Sequence, residues 1–454
     1  MSKKQSSQTG AYVITVDMGY GHQRAVYPLD DVAACPPGID QMGTSIITAN
    51  TYPGIPARDK SMWEGGRSMY ETVSRMKKLP IIGKHIFGIM DHMQRIEPFY
   101  PRRDLSKPTL QVRQQMALVK RGWGKDLINR LNQDPKPIVT SFFSIAFFAD
   151  HHGYKGPIYC LCTDTDISRA WVPLEPKKSK INFLAPTARV RERLKEYGVP
   201  AKRIHFTGFP LPKENMGKNE SLLKKDIANR ICHLDPTGRY QHKYERTLKH
   251  QLGRDYTKHC TKRPLTITFA VGGAGAQRDI GVTIGQSLLP LIRKGEVRLN
   301  LVAGTRQDVY RYYEKRLPEI CRDNICQQNV HIVYADTKHK YFAEFNKVLR
   351  GTDILWTKPS ELSFYAGLGI PIIMSPPVGS QERFNRAWLH AIGAGFEQED
   401  PRYTHEWLFD WINTGWLAQA AMEGYLDAPR CGTANIEKVV MTGNCNDIDS
   451  MFIL

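Results

Sequence analysis

The sequence lacks the patterns of a disulfide-stabilised or metal-bound domain. Its nine cysteines are an odd number, scattered without any Cys-x-x-Cys pair. We therefore expect neither a disulfide framework nor a zinc site. Cys160 and Cys162 alternate along an apolar run and are interpreted as buried packing residues.

Long hydrophobic runs are also missing. The longest, such as 142–148, fall far short of the roughly 18 residues that cross a membrane. The start, MSKKQSSQTGAY, has lysines but no apolar stretch behind them, which argues against a secretory signal or an anchor. We predict a cytoplasmic protein and leave open peripheral association with the inner face of the membrane.

What is present is the composition of a folded chain of two domains. Of 454 residues, 41% are hydrophobic and only 24% are charged, which excludes a disordered chain. A chain of this length exceeds one comfortable hydrophobic core.

Positive charge is abundant and uneven. The formal net charge is +18, and residues 77–130 carry twelve basic against four acidic side chains, while residues 213–263 carry thirteen against six. Such surfaces attract phosphate-bearing partners, whether nucleic acid, anionic lipid headgroups or nucleotide substrates. Charge alone does not choose among these partners or exclude a merely solvated surface.

Short apolar runs alternate with helical stretches, which is typical of parallel α/β sheets. The first series runs from YVITV at residue 12 to RIHF at residue 203, and the second from LTITFAV at residue 265 to IPIIM at residue 370. We predict two doubly wound domains with the boundaries 1–210, 211–263 (a basic insertion or linker), 264–425 and 426–454 (a tail).

The first strand runs directly into a glycine loop. Gly19 and Gly21 let the backbone turn tightly and approach a ligand, at the strand end where open α/β sheets bind their ligands. His22 follows, and imidazole accepts a proton near neutral pH. Asp17 is the second candidate, either to orient the imidazole or as the base itself. A plain strand-to-helix turn is the alternative.

The second series begins with a similar loop. Gly272, Gly273, Gly275 and Gln277 follow a strand and precede a helix, and free N–H groups at a helix start bind phosphate. No Gly-Lys-Ser/Thr follows, so this is not a Walker loop, and the dinucleotide spacing G-x-G-x-x-G is also unmet.

Polar side chains follow two later strands. Lys358 and Ser360 come after DILWT and before a predicted helix, where Ser360 would serve either as an N-cap or beside a diphosphate. Gln381, Glu382 and Asn385 come after IPIIM, and such side chains hydrogen-bond to sugar hydroxyls.

In this order, these motifs resemble one family. The chain is similar over residues 11 to about 395 to the GT-B glycosyltransferases that include monogalactosyldiacylglycerol synthase, the processive diacylglycerol glucosyltransferases and the N-acetylglucosaminyltransferase that makes lipid II. The matching motifs are Gly19-x-Gly21-His22-x-x-Ala25, Thr163-Asp164, Thr207-Gly208-x-Pro210, Gly272-Gly273-x-Gly275, Thr357-Lys358 and Gln381-Glu382-x-x-Asn385.

The resemblance implies a GT-B fold, two Rossmann-like domains facing across a cleft. It implies a nucleotide-sugar donor, UDP-linked, held by the second domain, and a lipid hydroxyl as acceptor beside Gly19, Gly21 and Asp164. The family has a ribose-binding glutamate where this chain has Phe364, and Glu361, one turn earlier, is the candidate to replace it.

The expected reaction is an inverting transfer without metal or cofactor. His22, or Asp17 in its place, would remove the acceptor proton. Backbone N–H groups of residues 273–277, the helix start at Ser360 and Lys358 would stabilise the leaving diphosphate. Asp164-Thr-Asp166 has the spacing of a metal motif, but it lies in the N-terminal domain.

One further segment and two other functions stay open. Residues 79–93 mix apolar and basic residues, as in a helix at an anionic membrane surface or one covering its own core. A sugar-nucleotide epimerase or hydrolase would use the same loops without an acceptor. A nucleic-acid-binding protein would explain the charge but not the polar strand ends, and no specific nucleic acid is expected.

Overall fold

A computed structural model describes residues 10–36, 38–39, 44–65, 95–271, 275, 277–321, 326, 328–377 and 380–443. The described chain forms two compact α/β units. The first contains the residues up to Pro210 and those from Cys431 onwards, and the second is made from residues between Leu211 and Arg430.

The first unit is built on a parallel sheet of six strands in the order β2-β1-β3-β4-β5-β6. Its central strands are buried along their whole length, so they read as continuous apolar runs. The strands are β1 Tyr12–Thr15, β2 Ile47–Thr48, β3 Ile138–Thr140, β4 Ile158–Leu161, β5 Ile181–Ala185 and β6 Ile204–Phe206; the helices are α1 Gly21–Val26, α2 Leu110–Lys120, α3 Lys125–Leu131, α4 Phe143–His151 and α5 Ala188–Glu196.

The second unit has its own parallel sheet, in the order β12-β11-β10-β7-β8-β9. Its strands are β7 Leu265–Ala270, β8 Val297–Gly304, β9 Val330–Tyr334, β10 Ile354–Thr357, β11 Ile372–Met374 and β12 Gly395–Glu397. Its helices are α6 Lys213–Met216, α7 Ser221–Leu234, α8 Arg239–Lys243, α9 Glu245–Leu252, α10 Arg278–Ser287, α11 Leu289–Arg293, α12 Gln307–Ile320, α13 Lys338–Gly351, α14 Ser380–Ala391, α15 Thr404–Asn413 and α16 Trp416–Asp427.

The two sheets confirm the predicted fold class, a pair of Rossmann-like domains as in GT-B proteins. The predicted strands agree with the observed ones to within about two residues, as expected for buried strands of parallel sheets. The sequence did not reveal β2 and β12, each an edge strand of its own sheet, because two or three residues are too short to show a pattern.

The basic segment 211–263 is helical, but it is not a linker. Helix α7 buries Arg230, whose guanidinium donates hydrogen bonds to the carbonyl oxygens of Thr352 (2.7 Å), Leu368 and Gly369 (both 3.0 Å). A fully buried arginine is stable only with such partners. The segment therefore belongs to the framework of the second unit.

The tail continues as a helix, α17 Gly432–Thr442, within the first unit. The Asn435 side chain donates to the Thr207 carbonyl at 2.9 Å. A side chain on Gly432 would lie 2.1 Å from the Phe209 carbonyl oxygen, so only glycine allows this close approach.

The expectation that the cysteines form no disulfide framework was wrong for four of them. Cys232 is bonded to Cys260, and Cys321 to Cys326. The first pair is separated by 28 residues in sequence and comes together only because the chain folds back along α7. Cys160 and Cys162 are fully buried, as predicted, and burial raises the pKa of both thiols.

Two expectations concern the membrane: that no helix spans it, and that residues 79–93 form a surface helix. Among the described residues, no helix has the length and apolar character needed to cross a bilayer. The segment 79–93 lies outside the described residues.

Candidate active site

The loop after β1 is shaped by Gly19. Its φ is 102°, and no atom lies within 4 Å of the place where its Cβ would stand. A side chain would therefore be strained by the backbone rather than by crowding. Gly21 is the first residue of α1.

His22 is held in one orientation by the end of β3. Its Nδ1 lies 2.8 Å from the Ser141 carbonyl oxygen. A carbonyl only accepts hydrogen bonds, so Nδ1 carries the proton and a neutral His22 presents Nε2 as a base. The Phe142 ring packs edge-on against the imidazole at 4.8 Å and restricts its rotation.

The backbone of Asp17 is fixed by Asn50. The Asp17 N–H donates to Asn50 Oδ1 at 2.7 Å, and Asn50 Nδ2 donates back to the Asp17 carbonyl at 3.4 Å. Asn50 is buried. This clamp holds the end of β1 just before the glycine loop.

Asp164 and Asp166 follow β4 and have different surroundings. Asp166 is 1% exposed and accepts two hydrogen bonds from the equally buried Arg193, at 2.9 and 2.8 Å, and one from Arg189 at 3.1 Å. Its carboxylate is thus used within the fold. Asp164, the predicted acceptor-side carboxylate, is only partly buried.

These elements meet where the strand order of the first sheet reverses. β2 lies on one side of β1 and β3 on the other, and open α/β sheets bind ligands beyond the carboxyl ends of the strands at such a point. His22 follows β1 and Ser141 follows β3. His22 therefore lies at the edge of the sheet where open α/β proteins bind ligands.

The glycine loop of the second unit lies partly outside the described residues. Gly272 and Gly273 are among the residues that are not described. Gly275 has a φ of 64°, and a Cβ there would lie 2.8 Å from Val309 Cγ2 and 3.0 Å from Arg306 Nε. Gln277 also has a positive φ, 65°, and its Nε2 donates to the Pro376 carbonyl at 2.9 Å. Helix α10 starts immediately afterwards, as predicted.

Lys358 and Glu382, which the sequence assigned to different parts of the donor, form an ion pair. Their side chains are only 19% and 12% exposed. The adjoining Asn385 is buried and donates from Nδ2 to the Pro359 carbonyl at 3.3 Å. Gln381 lies in the first turn of α14, next to Glu382. These contacts tie α14 to the end of β10.

The helix predicted at Glu361 is a 3-10 helix, Glu361–Leu368, and the Ser360 side chain does not cap it. The first turn is closed instead by the Ser363 N–H, which donates to the Ser360 carbonyl at 2.9 Å, the tight spacing of 3-10 geometry. Glu361 is partly exposed at the start of this helix.

Phe364 does not occupy a binding position. It is 3% exposed and packs on Trp388 of α14 with the ring centroids 5.3 Å apart. A glutamate here would be buried against the Trp388 ring. Of the two positions weighed from the sequence, only Glu361 is accessible to a ligand.

The second unit also reverses its strand order next to the predicted loops. β10 lies on one side of β7 and β8 on the other. The carboxyl ends of β7 and β10 carry the glycine loop and Lys358, and the Thr357 hydroxyl links them by donating to the Ala270 carbonyl at 3.0 Å. Open α/β sheets bind ligands at such a point, so Lys358 and the glycine loop stay predicted diphosphate-binding elements.

Sequence reasoning missed several residues of these two sites. Ser141 and Asn50 act through a carbonyl and a backbone clamp, which leave no sequence motif. Arg306 follows β8, and its strand-end position was the available signal. No group of three or more His, Cys, Asp or Glu side chains suited to a metal ion occurs in the described part of the chain.

Parts of the chain are similar to known protein sequences. Residues 233–411 match a family described as a domain of unknown function (DUF6938). The chain is 24% identical over 279 residues to a processive diacylglycerol β-glucosyltransferase from Bacillus cytotoxicus, covering 60% of this chain. The chain spans 59% of the length of that relative.

Two solved structures are similar at low identity. The α,α-trehalose 6-phosphate synthase of Burkholderia multivorans matches with 13% identity and a TM-score of 0.45, covering 97% of both chains. The UDP-GlcNAc 2-epimerase of Neisseria meningitidis, bound to UDP-GlcNAc, matches with 12% identity and a TM-score of 0.42, covering 78% of this chain and 87% of its own. Because both scores are below 0.5, the fold assignment rests on the strand orders above.

Proposed function

We propose that the protein is an inverting, metal-independent glycosyltransferase. It moves a hexosyl group from a nucleotide sugar, UDP-linked, to the hydroxyl of a lipid acceptor. The observation that carries this proposal is the His22 imidazole, held by the Ser141 carbonyl with Nε2 as its basic atom. The similarity to a diacylglycerol glucosyltransferase supports the reaction class and the lipid acceptor.

In this mechanism His22 Nε2 accepts the proton of the acceptor hydroxyl. The acceptor oxygen forms a bond to the anomeric carbon of the sugar as the bond from that carbon to the diphosphate breaks, which inverts the configuration. General base catalysis of this kind contributes about 10²- to 10⁴-fold to the rate. Asp17 remains the alternative base.

The departing diphosphate carries the charge that the second unit must stabilise. The loop around Gly275, the start of α10 and Lys358 supply N–H groups and a cation for it. Glu361 is proposed to contact the ribose, and Gln381, Glu382 and Asn385 the sugar hydroxyls. Asp164, Gly19 and Gly21 are assigned to the acceptor.

Ligand binding is tested first. UDP, GDP and ADP and their hexose conjugates are screened for a rise in melting temperature, because a ligand that binds only the folded state raises it. A selective shift by uridine nucleotides is expected. If no nucleotide raises the melting temperature, the proposal is wrong.

Turnover is tested with a labelled UDP-hexose and vesicles that contain diacylglycerol. His22→Ala should lose at least 10²-fold in kcat and keep the nucleotide-induced shift, whereas His151→Ala, an exposed histidine of the same unit, should retain both. A labelled product that forms without any acceptor would instead indicate an epimerase or hydrolase.

A further inference from the structure

The basic segment of the second unit is firmly attached to its core. Cys260 is bonded to Cys232 at the end of α7. Asn229 Oδ1 accepts hydrogen bonds from the Thr261 N–H (2.9 Å) and hydroxyl (3.0 Å). Leu248 and Leu252 bury one side of α9. The opposite side of α9 is therefore presented on a fixed support.

That outer side surrounds a depression of about 650 Å³ whose lining carries no carboxylate. Gly253 is part of the lining, and a side chain there would meet no atom within 4 Å. The volume lies in the range of small-molecule sites. The depression is lined by Arg246, Lys249, His250, Gly253 and Arg254.

The charge of this depression is only partly compensated. Lys249 is paired with Glu245 at 2.5 Å. The guanidinium groups of Arg246 and Arg254 have neither a hydrogen bond nor a salt bridge to any residue that the structure describes. Two guanidinium charges thus face solvent, and they outweigh the roughly half negative charge that the C-terminal end of a helix contributes.

The side chains define the class of ligand. Guanidinium groups bind phosphate through paired hydrogen bonds better than a lysine does. None of the five lining residues is phenylalanine, tyrosine or tryptophan, the large rings on which the bases of single-stranded nucleic acid stack. A compact group with two or more negative charges fits best.

We propose that this depression binds a phosphate-bearing anion, in addition to the donor proposed above. The source is either the headgroup of an anionic lipid or a soluble phosphorylated compound. None of the proposed donor residues lines the depression, so it is a second anion site on the same unit.

The test uses the full chain and two arms. Sedimentation with phosphatidylcholine vesicles, with and without phosphatidylglycerol, measures the lipid source, and calorimetric titration with inorganic pyrophosphate measures the soluble one. The double variant Arg246→Gln/Arg254→Gln should weaken binding at least tenfold in the assay that detects it. Arg311→Gln/Lys315→Gln removes the same charge from exposed positions of α12 and should change binding less than twofold.

Each outcome decides the proposal. Binding to anionic vesicles alone identifies a lipid headgroup, and binding of pyrophosphate alone a soluble ligand. Equal losses in both double variants, no loss in either, or no binding in both arms would overturn it, as would Arg246- and Arg254-dependent binding of RNA that exceeds phosphate binding. Unchanged melting temperatures and nucleotide-induced shifts in the variants separate this result from the proposed transferase function.

Discussion

Lys358 and Glu382 form an ion pair at the end of β10, and both side chains are at least four-fifths buried. The sequence placed Lys358 beside a diphosphate and Glu382 beside a sugar. A diphosphate at this position would have to share the ammonium group with the carboxylate. The pair therefore sets how strongly the charge of Lys358 is available to a donor.

Removing the positive or the negative charge of this pair should have opposite effects on nucleotide binding. Lys358→Met removes the cation and should weaken UDP binding about tenfold or more, since charge-assisted hydrogen bonds contribute roughly 1.5–3 kcal/mol. Glu382→Gln releases the lysine and should tighten UDP binding several-fold. Calorimetric titration measures both. Equal weakening in the two variants would show that Lys358 does not contact the diphosphate.

The buried pair of Asp166 and Arg193 should be essential for the stability of the first unit. Asp166→Asn leaves the Arg193 charge uncompensated, and breaking such a pair costs about 3–5 kcal/mol. We expect a melting temperature lower by roughly 6–20 °C. Asp164→Asn is the neighbouring control, with a change below about 2 °C and slower turnover. A similar loss of stability in both variants would contradict the distinction between these carboxylates.

Reduction should loosen the attachment of the basic segment. The Cys232–Cys260 bond closes a loop with a sequence separation of 28 residues, and the chain-entropy model gives about 3–4 kcal/mol for a loop of that size. Cys232→Ser should lower the melting temperature under non-reducing conditions and remove most of the effect of dithiothreitol. Cys35→Ser, at an exposed free cysteine, should do neither. Thiol titration of the unfolded chain checks the pairing.

Stability should rise with pH in the range just below 6.5. Burial lowers the pKa of His152, His205 and His331 from the ordinary value of 6.5. Between each lowered pKa and 6.5, the unfolded chain binds more protons than the folded chain, so stability increases with pH there and levels off above it. Thermal melts between pH 5 and 8 measure this. His152→Gln should reduce the slope, and an unchanged slope would exclude His152 as a contributor.

Much of the architecture follows from local sequence. Strands such as LTITFA and IVT are continuous apolar runs because both faces of a parallel sheet are covered. The loops at Gly19 and Gly275 could be located because both glycines take positive φ values, 102° and 64°, which few other residues adopt. These signals lie within a few neighbouring residues, so the sequence alone contains them.

The partners of the site residues were decided by tertiary structure. His22 meets a carbonyl 119 residues away, and Lys358 meets a carboxylate 24 residues away. Cys232 meets Cys260 by the folding back of a helical segment, and α17 rejoins the first unit after the whole of the second. The sequence by itself determined all the strands but the short edge strands β2 and β12, and the two glycine loops. Which side chains meet depends on strand order and on the chain path between distant segments, which local periodicity does not encode.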